Sequence, residues 1–262
     1  MIRVYLEGIS VIGPGMPYWA TARQVLRQEA PLEIAPVTLT APDILPATER
    51  RRSGTATRLS MSVGLAAARD AGQDPATLAN VFSSTGGDCD NCHALLETLA
   101  SDDRMVSPTR FHNSVHNAPA GYWGIATQCM APSTSLCAYD ATLGAGLLEA
   151  ATMATDNGQP CLLIAFDTAY PEPLFQLRPI PYPFGVGMVL GATATASSRA
   201  QLTLSLVQAP ADVMQDAALE TLRQQIPSAR ALPLLQLLAN ETAGRVVLDY
   251  LDGCQLAVEV AF

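Results

Sequence analysis

The sequence of 262 residues lacks any apolar run that approaches the ~20 residues of a membrane-spanning helix. It is also poor in positive charge: 15 Lys and Arg stand against 24 Asp and Glu, which leaves a formal net charge of −9. No basic run is longer than Arg50-Arg51-Arg52. This charge balance argues against nucleic acid or an anionic membrane surface as the main partner. We therefore expect a protein that binds neither.

A secretory signal is a second absence. Met1–Glu7 has an acid within its apolar stretch and is followed by no cleavage site, so we expect no signal peptide. Six cysteines in a chain without an export signal indicate reduced thiols in a cytoplasmic protein. With 49% hydrophobic residues and no linker rich in Ser, Gly or charge, residues 1–262 are predicted to form a single domain with one large core.

Strand-like and helix-like segments alternate along the chain, which predicts an α/β fold. Ala141–Asn157 is a helix built almost wholly of small residues, which can lie buried between two layers. Cys161–Phe166 is fully apolar, as in a strand covered on both faces. Val186–Ala196 and Leu202–Gln208 are predicted to pair as a hairpin. Further strands are predicted at 2–13, 81–84, 245–250 and 255–262, and further helices at 18–27, 58–71, 213–225 and 232–240.

The most informative stretch runs from Ser107 to Ala150. Four short sequences follow one another there: Ser107-Pro108-Thr109-Arg110-Phe111, Asn117-Ala118-Pro119-Ala120-Gly121, Ala131-Pro132, and Leu136-Cys137-Ala138-Tyr139-Asp140-Ala141-Thr142. This order resembles the β-ketoacyl synthase (ketosynthase) family, in which Ser-Pro-Phe, Asn-x-x-Ala-Gly and Gly-Pro precede a reactive cysteine at the start of a small-residue helix. The resemblance is best over residues 1–191. It implies a thiolase-like, layered α/β/α fold with a shortened second half and no cofactor.

The nucleophile of that family is missing here. Counting from Asn117 without a gap places the family's cysteine on Asp140, whereas Cys137 lies three residues earlier, on the predicted strand. A helix N-terminus favours a thiolate, which can accept an acyl chain as a thioester, whereas an aspartate is a poor nucleophile. The simplest interpretation makes Asp140 an N-cap, worth ~0.5–2 kcal/mol. A direct chemical role for Asp140 is the alternative.

The family's histidines are missing as well. In the family, two histidines of the second half drive decarboxylation of the extender unit and stabilise the resulting enolate. This sequence has only His93, His112 and His116, and all three precede Asp140. The resemblance therefore implies a subunit that does not catalyse condensation by itself.

Phe111–Trp123 is similar to short ketosynthase-like subunits that accompany a full condensing enzyme in aryl polyene synthesis and resemble the chain length factors of type II polyketide systems. The resemblance implies a heterodimer with a full-length ketosynthase, contact with an acyl carrier protein through that complex, and a homodimer when the partner is absent. Ser133–Ala138 is the expected pairing strand. The residues expected at the substrate tunnel or the interface are His112, His116, Asn117, Thr134, Leu136, Cys137 and Asp140.

The residues leave an enzyme as an alternative. A free-standing acyltransferase or hydrolase would use Asp140 with His116, and it requires those two groups to lie within hydrogen-bond reach of each other.

A metal or haem protein is the other alternative. Cys89-Asp90-Asn91-Cys92-His93 fits the attachment sequence of c-type haem, and Cys89 and Cys92 with His112 and His116 imitate a Cys₂His₂ zinc set. Haem attachment requires export, for which the sequence shows no signal. The zinc set is interrupted by the helix-like stretch Ala94–Leu99. We expect neither metal nor haem.

Overall fold

The computed structural model describes all residues from 1 to 262. Its strands are β1 (Ile2–Ile12), β2 (Ala79–Ser83), β3 (Ser133–Leu136), β4 (Cys161–Asp167), β5 (Phe184–Gly191), β6 (Ala200–Val207), β7 (Gly244–Leu251) and β8 (Cys254–Ala261). Its helices are α1 (Trp19–Leu26), α2 (Ala47–Arg52), α3 (Thr55–Asp70), α4 (Cys89–Ala100), α5 (Pro108–His112), α6 (Ala118–Thr127), α7 (Thr142–Asn157), α8 (Leu174–Leu177), α9 (Ala217–Gln225) and α10 (Leu232–Asn240). Two 3₁₀ turns, Tyr139–Ala141 and Pro227–Ala231, precede α7 and α10.

The eight strands form one sheet in the order β3-β2-β4-β5-β1-β6-β8-β7. β2 runs parallel to both β3 and β4, and the other pairs are antiparallel. β4 is buried along its whole length, as its apolar sequence predicts. β3 forms one edge of the sheet, with a strand neighbour on one side only.

The predicted hairpin between 186–196 and 202–208 is wrong. Both strands exist, as β5 and β6, but β1 lies between them and pairs with each. An irregularity between Leu6 and Gly8 interrupts the pairing of β1 with β5, and the pairing of β1 with β6 ends at Leu6. Two successive strands with a short connection look like a hairpin in the local pattern. That pattern carries no information about a third strand, from the start of the chain, that separates them.

α7 is packed tightly on two sides, which explains its small residues. A Cβ on Gly144 would lie 2.5 Å from the carbonyl oxygen of Asp249 in β7. A Cβ on Gly146 would lie 2.6 Å from the Cβ of Ser83 in β2. The sheet therefore curves around α7, with β2 on one side and β7 on the other. The prediction of a buried small-residue helix is confirmed.

The apolar core has two parts. The larger, of 42 buried residues, joins α7 and α10 to the strands on both sides of them. The smaller, of 16 buried residues, lies on the opposite face, where Trp123 of α6 packs edge-on against Phe82 of β2. The second half is short, since only β6, β7 and β8 follow β5. No helix combines the length and the apolar character needed to cross a membrane.

One helix begins later than predicted. The segment predicted as helical from Val213 starts its helix at Ala217, because the Asp216 carboxylate accepts the N–H groups of Ala218 and Leu219 and so caps α9. The two closing strands are confirmed as the antiparallel pair β7 and β8.

Candidate functional site

The candidate site lies where the parallel strands β2, β3 and β4 end. In open α/β sheets, functional groups collect at the carboxyl ends of such strands. Cys137 follows β3 directly, and its thiol donates to the carbonyl oxygen of Thr85, just after β2, at 3.1 Å. The ring of His116 reaches the same edge, with Nε2 2.8 Å from the carbonyl oxygen of Ser84. Three separate chain segments therefore meet at one end of the parallel strands.

The turn between β3 and α7 is held in an unusual conformation. Tyr139 has φ 53°, in the left-handed region that costs a residue with a side chain roughly 1–2 kcal/mol. Its carbonyl oxygen accepts the hydroxyls of Thr85 at 2.8 Å and of Thr142 at 2.5 Å. The Thr142 hydroxyl also accepts the N–H of Ala138 at 3.1 Å. The two threonines hold both ends of the turn, and such strain is typical of functional positions.

Asp140 is not an N-cap, so that prediction is wrong. The cap position of α7 is Ala141, and no side chain caps the helix. The Asp140 carboxylate instead forms ion pairs with two arginines of later segments. Oδ1 accepts from Arg178, and Oδ2 lies 3.0 Å from Nη2 of Arg230. Asp140 lies in the 3₁₀ turn before α7, and the full positive charges of the two guanidinium groups attract its carboxylate more strongly than the partial charge of a helix N-terminus would.

The ion pairs continue beyond Asp140. Arg230 also contacts Asp249 of β7 at 3.1 Å, and Asp249 contacts Arg223 of α9 at 3.0 Å. Arg223 forms two hydrogen bonds of 2.8 Å to Glu220, and these hold the pKa of the Glu220 carboxyl down at about 2. Three arginines and three acids thus form one alternating chain. It links the turn before α7 to the second half of the molecule.

Sequence reasoning missed Tyr139 and Arg178 as members of the site. The Arg178 guanidinium lies over the Tyr139 ring, 3.7 Å from its centroid, in a cation–π contact. The Tyr139 side chain is otherwise open, with 64% of the residue exposed. Arg178 lies in the proline-rich segment after β4, and the local sequence of that segment does not predict an ion pair. An approach from the sequence could have found neither contact.

Asp167, at the end of β4, was also missed. It is 2% exposed, and its carboxylate accepts the N–H groups of Thr85 at 2.9 Å and Ser228 at 2.7 Å. Burial raises the pKa of Asp167 to about 6, against the lowering effect of those hydrogen bonds. The signal available in the sequence was an acid directly after a wholly apolar strand. Asp167 ties the loop after β2 to the turn before α10.

The predicted site residues are only partly brought together. His116, Leu136, Cys137 and Asp140 lie around the ends of β2 and β3. His112 is exposed at the end of α5, with its ring edge-on to Tyr122 at 6.2 Å between centroids. Asn117 precedes α6 as an exposed residue, and its side chain makes no capping hydrogen bond.

The structure does not join Asp140 to His116. The His116 ring contacts the Ser84 carbonyl, the Asp140 carboxylate contacts Arg178 and Arg230, and no hydrogen bond or ion pair connects the two residues. The pair required by the acyltransferase or hydrolase alternative is therefore not assembled.

The cysteines of the Cys-x-x-Cys-His sequence are engaged separately. Cys89 donates to the Gly86 carbonyl at 3.5 Å, Cys92 donates to the Ser114 carbonyl at 3.8 Å, and His93 lies 3.3 Å from Glu97. Burial raises the pKa of the Cys89 thiol to about 11, which disfavours the thiolate that metals require. The chain contains no group of three or more His, Cys, Asp or Glu side chains arranged to hold a metal ion.

The open edge of the sheet adjoins this site. Leu136, the last residue of β3, packs partly against the larger core. The Thr134 hydroxyl lies 3.3 Å from a carboxylate oxygen of Glu149 in α7. Ser133 and Cys137, at the two ends of the strand, are exposed. An edge strand of this kind presents unpaired backbone groups to which another strand can add.

Comparison with known proteins gives a family match over most of the sequence. The family model described as "Beta-ketoacyl synthase, N-terminal domain" matches residues 19–251. No curated protein matches the sequence.

Solved structures share the fold over the whole chain. A ketosynthase in complex with its chain length factor from Xenorhabdus doucetiae has a TM-score of 0.75 at 22% identity, covering 99% of this chain and 100% of the other. The ishigamide ketosynthase/chain length factor has a TM-score of 0.71 at 15% identity, covering 100% and 99%. A type II polyketide synthase ketosynthase in complex with its acyl carrier protein has a TM-score of 0.73 at 11% identity, covering 99% of each chain. The predicted thiolase-like α/β fold is confirmed.

Proposed function

Since the chain belongs to the β-ketoacyl synthase family, we propose that it is a non-catalytic subunit of the chain length factor type. In this role it pairs with an active β-ketoacyl synthase in type II polyketide or aryl polyene biosynthesis, which resembles fatty-acid synthesis in its chemistry. It meets the acyl carrier protein through that complex.

The observation that carries the proposal is the state of the nucleophile position. Asp140 stands there, and both of its carboxylate oxygens are engaged by arginines. A carboxylate shared between two guanidinium groups is a still weaker nucleophile than a free one, because its negative charge is already compensated. No histidine follows Asp140 in the chain, so the second half supplies no imidazole for decarboxylation. A carboxylate that serves in structural ion pairs at this position is consistent with a subunit that does not itself catalyse condensation.

The open edge at β3 supports a partner. A monomer leaves the backbone groups of this strand without a neighbour at one side of an otherwise continuous sheet. A second ketosynthase-like chain that adds its own edge strand would satisfy them, and obligate interfaces of this kind bury more than ~2,000 Å² in total. Two of the structural relatives are complexes of a ketosynthase with a chain length factor, which supports a partner of that class. Another is a ketosynthase complex with an acyl carrier protein, which supports the contact with the carrier.

The proposed role also covers the domain organisation of the chain, its location and its behaviour without a partner. The chain acts as one ketosynthase-like domain over residues 1–262, in the cytoplasm and without a cofactor. In the absence of the ketosynthase, the β3 edge drives formation of a homodimer. His112, Asn117, Thr134, Leu136 and Cys137 are then interface or tunnel residues.

Purification from the native host tests the proposal. The tagged chain is isolated, and mass spectrometry is used to find a co-purifying ketosynthase that has an active-site cysteine and two histidines. That enzyme is then purified alone and assayed for condensation with acyl carrier protein substrates, with and without this chain. We expect condensation to depend on this chain and light scattering to show a one-to-one complex. A ketosynthase that works equally well alone, together with a monomeric chain, would contradict the proposal.

A further inference from the structure

We propose that Tyr139, backed by Arg178, is the anchor side chain through which this chain binds its partner subunit. The inference rests on the proposed function, in that it takes the partner to be the ketosynthase that adds to the β3 edge. It goes further by assigning the largest single share of that contact to a residue outside the strand itself.

The left-handed backbone conformation of Tyr139 is enforced by its neighbours. A bulky residue with φ 53° is strained, and such a conformation persists only where its surroundings enforce it. Here the Tyr139 carbonyl is bound by the hydroxyls of Thr85 and Thr142, which belong to the ends of two other elements. A glycine would adopt this conformation without strain, yet the chain places a tyrosine there. The side chain at this position is therefore expected to have a use.

The side chain is rigid before any partner arrives. The Arg178 guanidinium covers the Tyr139 ring at 3.7 Å from the centroid, and Arg178 is itself held by Asp140. The Arg178 side chain is only 18% exposed, whereas Tyr139 is 64% exposed. A large aromatic surface thus stands in water in a fixed orientation. Because the side chain is already fixed, little side-chain entropy would be lost on binding. Tyr and Arg are also enriched among the residues that dominate the affinity of protein interfaces.

The location of Tyr139 fits an interface centred on β3. Tyr139 follows Leu136, the end of β3, by three residues, so their Cα atoms are at most roughly 11 Å apart. A partner that buries about 1,000 Å² of this chain covers a disc roughly 18 Å in radius. Such a disc includes Tyr139. It also takes in the neighbourhood of Arg178, where Leu177 leaves 86% of its surface in water.

The chain offers a matched control in Tyr18. That residue is exposed to nearly the same extent, at 60%, and lines a cleft with Ile9 and Ile12 of β1. β1 is the fourth neighbour of β3 in the sheet, so about four strand spacings, or roughly 19 Å, separate them. Tyr18 follows β1, with three strands between β1 and β3, so we expect it to lie away from the β3 edge and its truncation to remove the same side chain without touching the predicted interface.

The test measures affinity for the ketosynthase that co-purifies from the native host, once it has been identified and purified. Wild type, Tyr139→Ala, Tyr139→Phe and Tyr18→Ala are titrated against it by isothermal calorimetry, after thermal unfolding has shown that each is folded. We expect Tyr139→Ala to raise the dissociation constant by about 30-fold or more, as for a hot-spot residue. Tyr139→Phe keeps the ring and is expected within about three-fold of wild type, because the hydroxyl is not required for the packing.

Two results would overturn the inference while leaving the proposed function intact. One is a wild-type complex whose affinity is unchanged by Tyr139→Ala. The other is a loss for Tyr139→Ala that Tyr18→Ala or Tyr139→Phe reproduces in full. A wild-type chain that binds no ketosynthase would refute the proposed function first, and the inference with it. The wild-type titration distinguishes these cases.

Discussion

Asp140 and Arg230 form an ion pair in which Oδ2 and Nη2 are 3.0 Å apart, and this pair joins the turn before α7 to the 3₁₀ turn before α10. Asp140, which the resemblance places at the position of the family's nucleophile, is thus part of the framework that joins these two segments. Its partners are largely shielded from water, with the Arg178 and Arg230 side chains 18% and 17% exposed.

Replacing Asp140 by asparagine should destabilise the fold. The substitution keeps the volume but leaves two shielded guanidinium groups without the charge between them, and we expect a loss of about 1–3 kcal/mol in the free energy of unfolding. Asp43→Asn is the control, since Asp43 pairs with Arg50 at 2.7 Å but its side chain is 98% exposed. That change should cost less than about 0.5 kcal/mol. Urea denaturation measures both, and equal losses would show that water screens the Asp140 pairs as well.

Asp140 should not become acylated. Both oxygens of its carboxylate are already bound by arginines, and no histidine is hydrogen-bonded to it. Intact-mass analysis after incubation with acyl carrier protein or acyl-CoA substrates should show no stable adduct. Asp140→Cys alone should also give no condensation, because the second half supplies no histidine pair. An acyl adduct on the wild-type chain would refute this prediction.

A positive charge on the open edge should prevent assembly. We choose Thr134→Lys because the Thr134 hydroxyl lies 3.3 Å from Glu149, which can pair with the new ammonium group and preserve the fold. Charged residues on an edge strand oppose the addition of another strand. The variant is therefore expected to remain folded and monomeric by light scattering and to leave the ketosynthase inactive.

The control for that experiment is Thr242→Lys, the same substitution at an exposed position just before β7, at the opposite end of the sheet. It should assemble normally. A Thr134→Lys chain that still forms the wild-type complex would exclude β3 as the pairing strand. Leu136 is a poorer choice for such a substitution, since it packs against the core and a charge there would also weaken the fold.

Stability should fall as the pH rises from about 4 to about 6. The pKa of Asp167 is about 6 in the folded chain against an ordinary value of 3.8, so the folded state holds this proton more tightly than the unfolded state within that window. Below the window both states are protonated, and above it the folded state bears the cost of a buried charge, at most about 3 kcal/mol. Burial raises the pKa of Asp88 as well and adds to the slope in the same direction.

Asp167→Asn tests this assignment. In the variant an amide NH₂ replaces one carboxylate oxygen, so one of the two hydrogen bonds from the Thr85 and Ser228 N–H groups is lost. The variant will therefore be less stable overall, but it has no carboxyl group to titrate. Its unfolding free energy, measured in denaturant from pH 4 to pH 6.5, should therefore decline less steeply than that of the wild type. Parallel curves would show that Asp167 does not titrate in this range. Glu220, with its pKa lowered from 4.5 to about 2, contributes stability that is lost as the pH falls from about 5 towards 2. Its slope opposes that of Asp167 at the acid end of the window, but it is the same in the wild type and in Asp167→Asn, so the comparison of the two chains is unaffected.

The cysteines should differ strongly in reactivity. Cys137 is exposed at the end of β3, whereas burial raises the pKa of Cys89 to about 11, so only about one Cys89 thiol in a thousand is ionised at pH 8. Iodoacetamide should label Cys137 first, as peptide mapping by mass spectrometry will show. Binding of the partner should slow labelling of Cys137. Faster labelling of Cys89 would contradict the structure.

The local elements were readable from the sequence because their causes are local. The small residues of 141–157 predicted a tightly packed helix, and the close approaches at Gly144 and Gly146 explain why larger side chains are excluded. The apolar run at 161–166 predicted a strand buried on both faces, as β4 is. The order of short motifs around Asp140 also indicated the family, and the absence of cysteine there and of later histidines is the basis for proposing a non-catalytic subunit.

What the tertiary structure alone decided were the long-range pairings. The insertion of β1 between β5 and β6, the capture of Asp140 by Arg178 and Arg230, and the stacking of Arg178 on Tyr139 all join segments that are distant in the chain. A helix cap was the better local expectation for Asp140, since a carboxylate before a helix usually accepts its first N–H groups. It was overruled because folding brings two guanidinium groups to that carboxylate, and a full positive charge attracts it more strongly than the partial charge of a helix N-terminus does. Hydrophobic pattern and residue size act within a few residues, whereas an ion pair depends on where the whole chain places its charges.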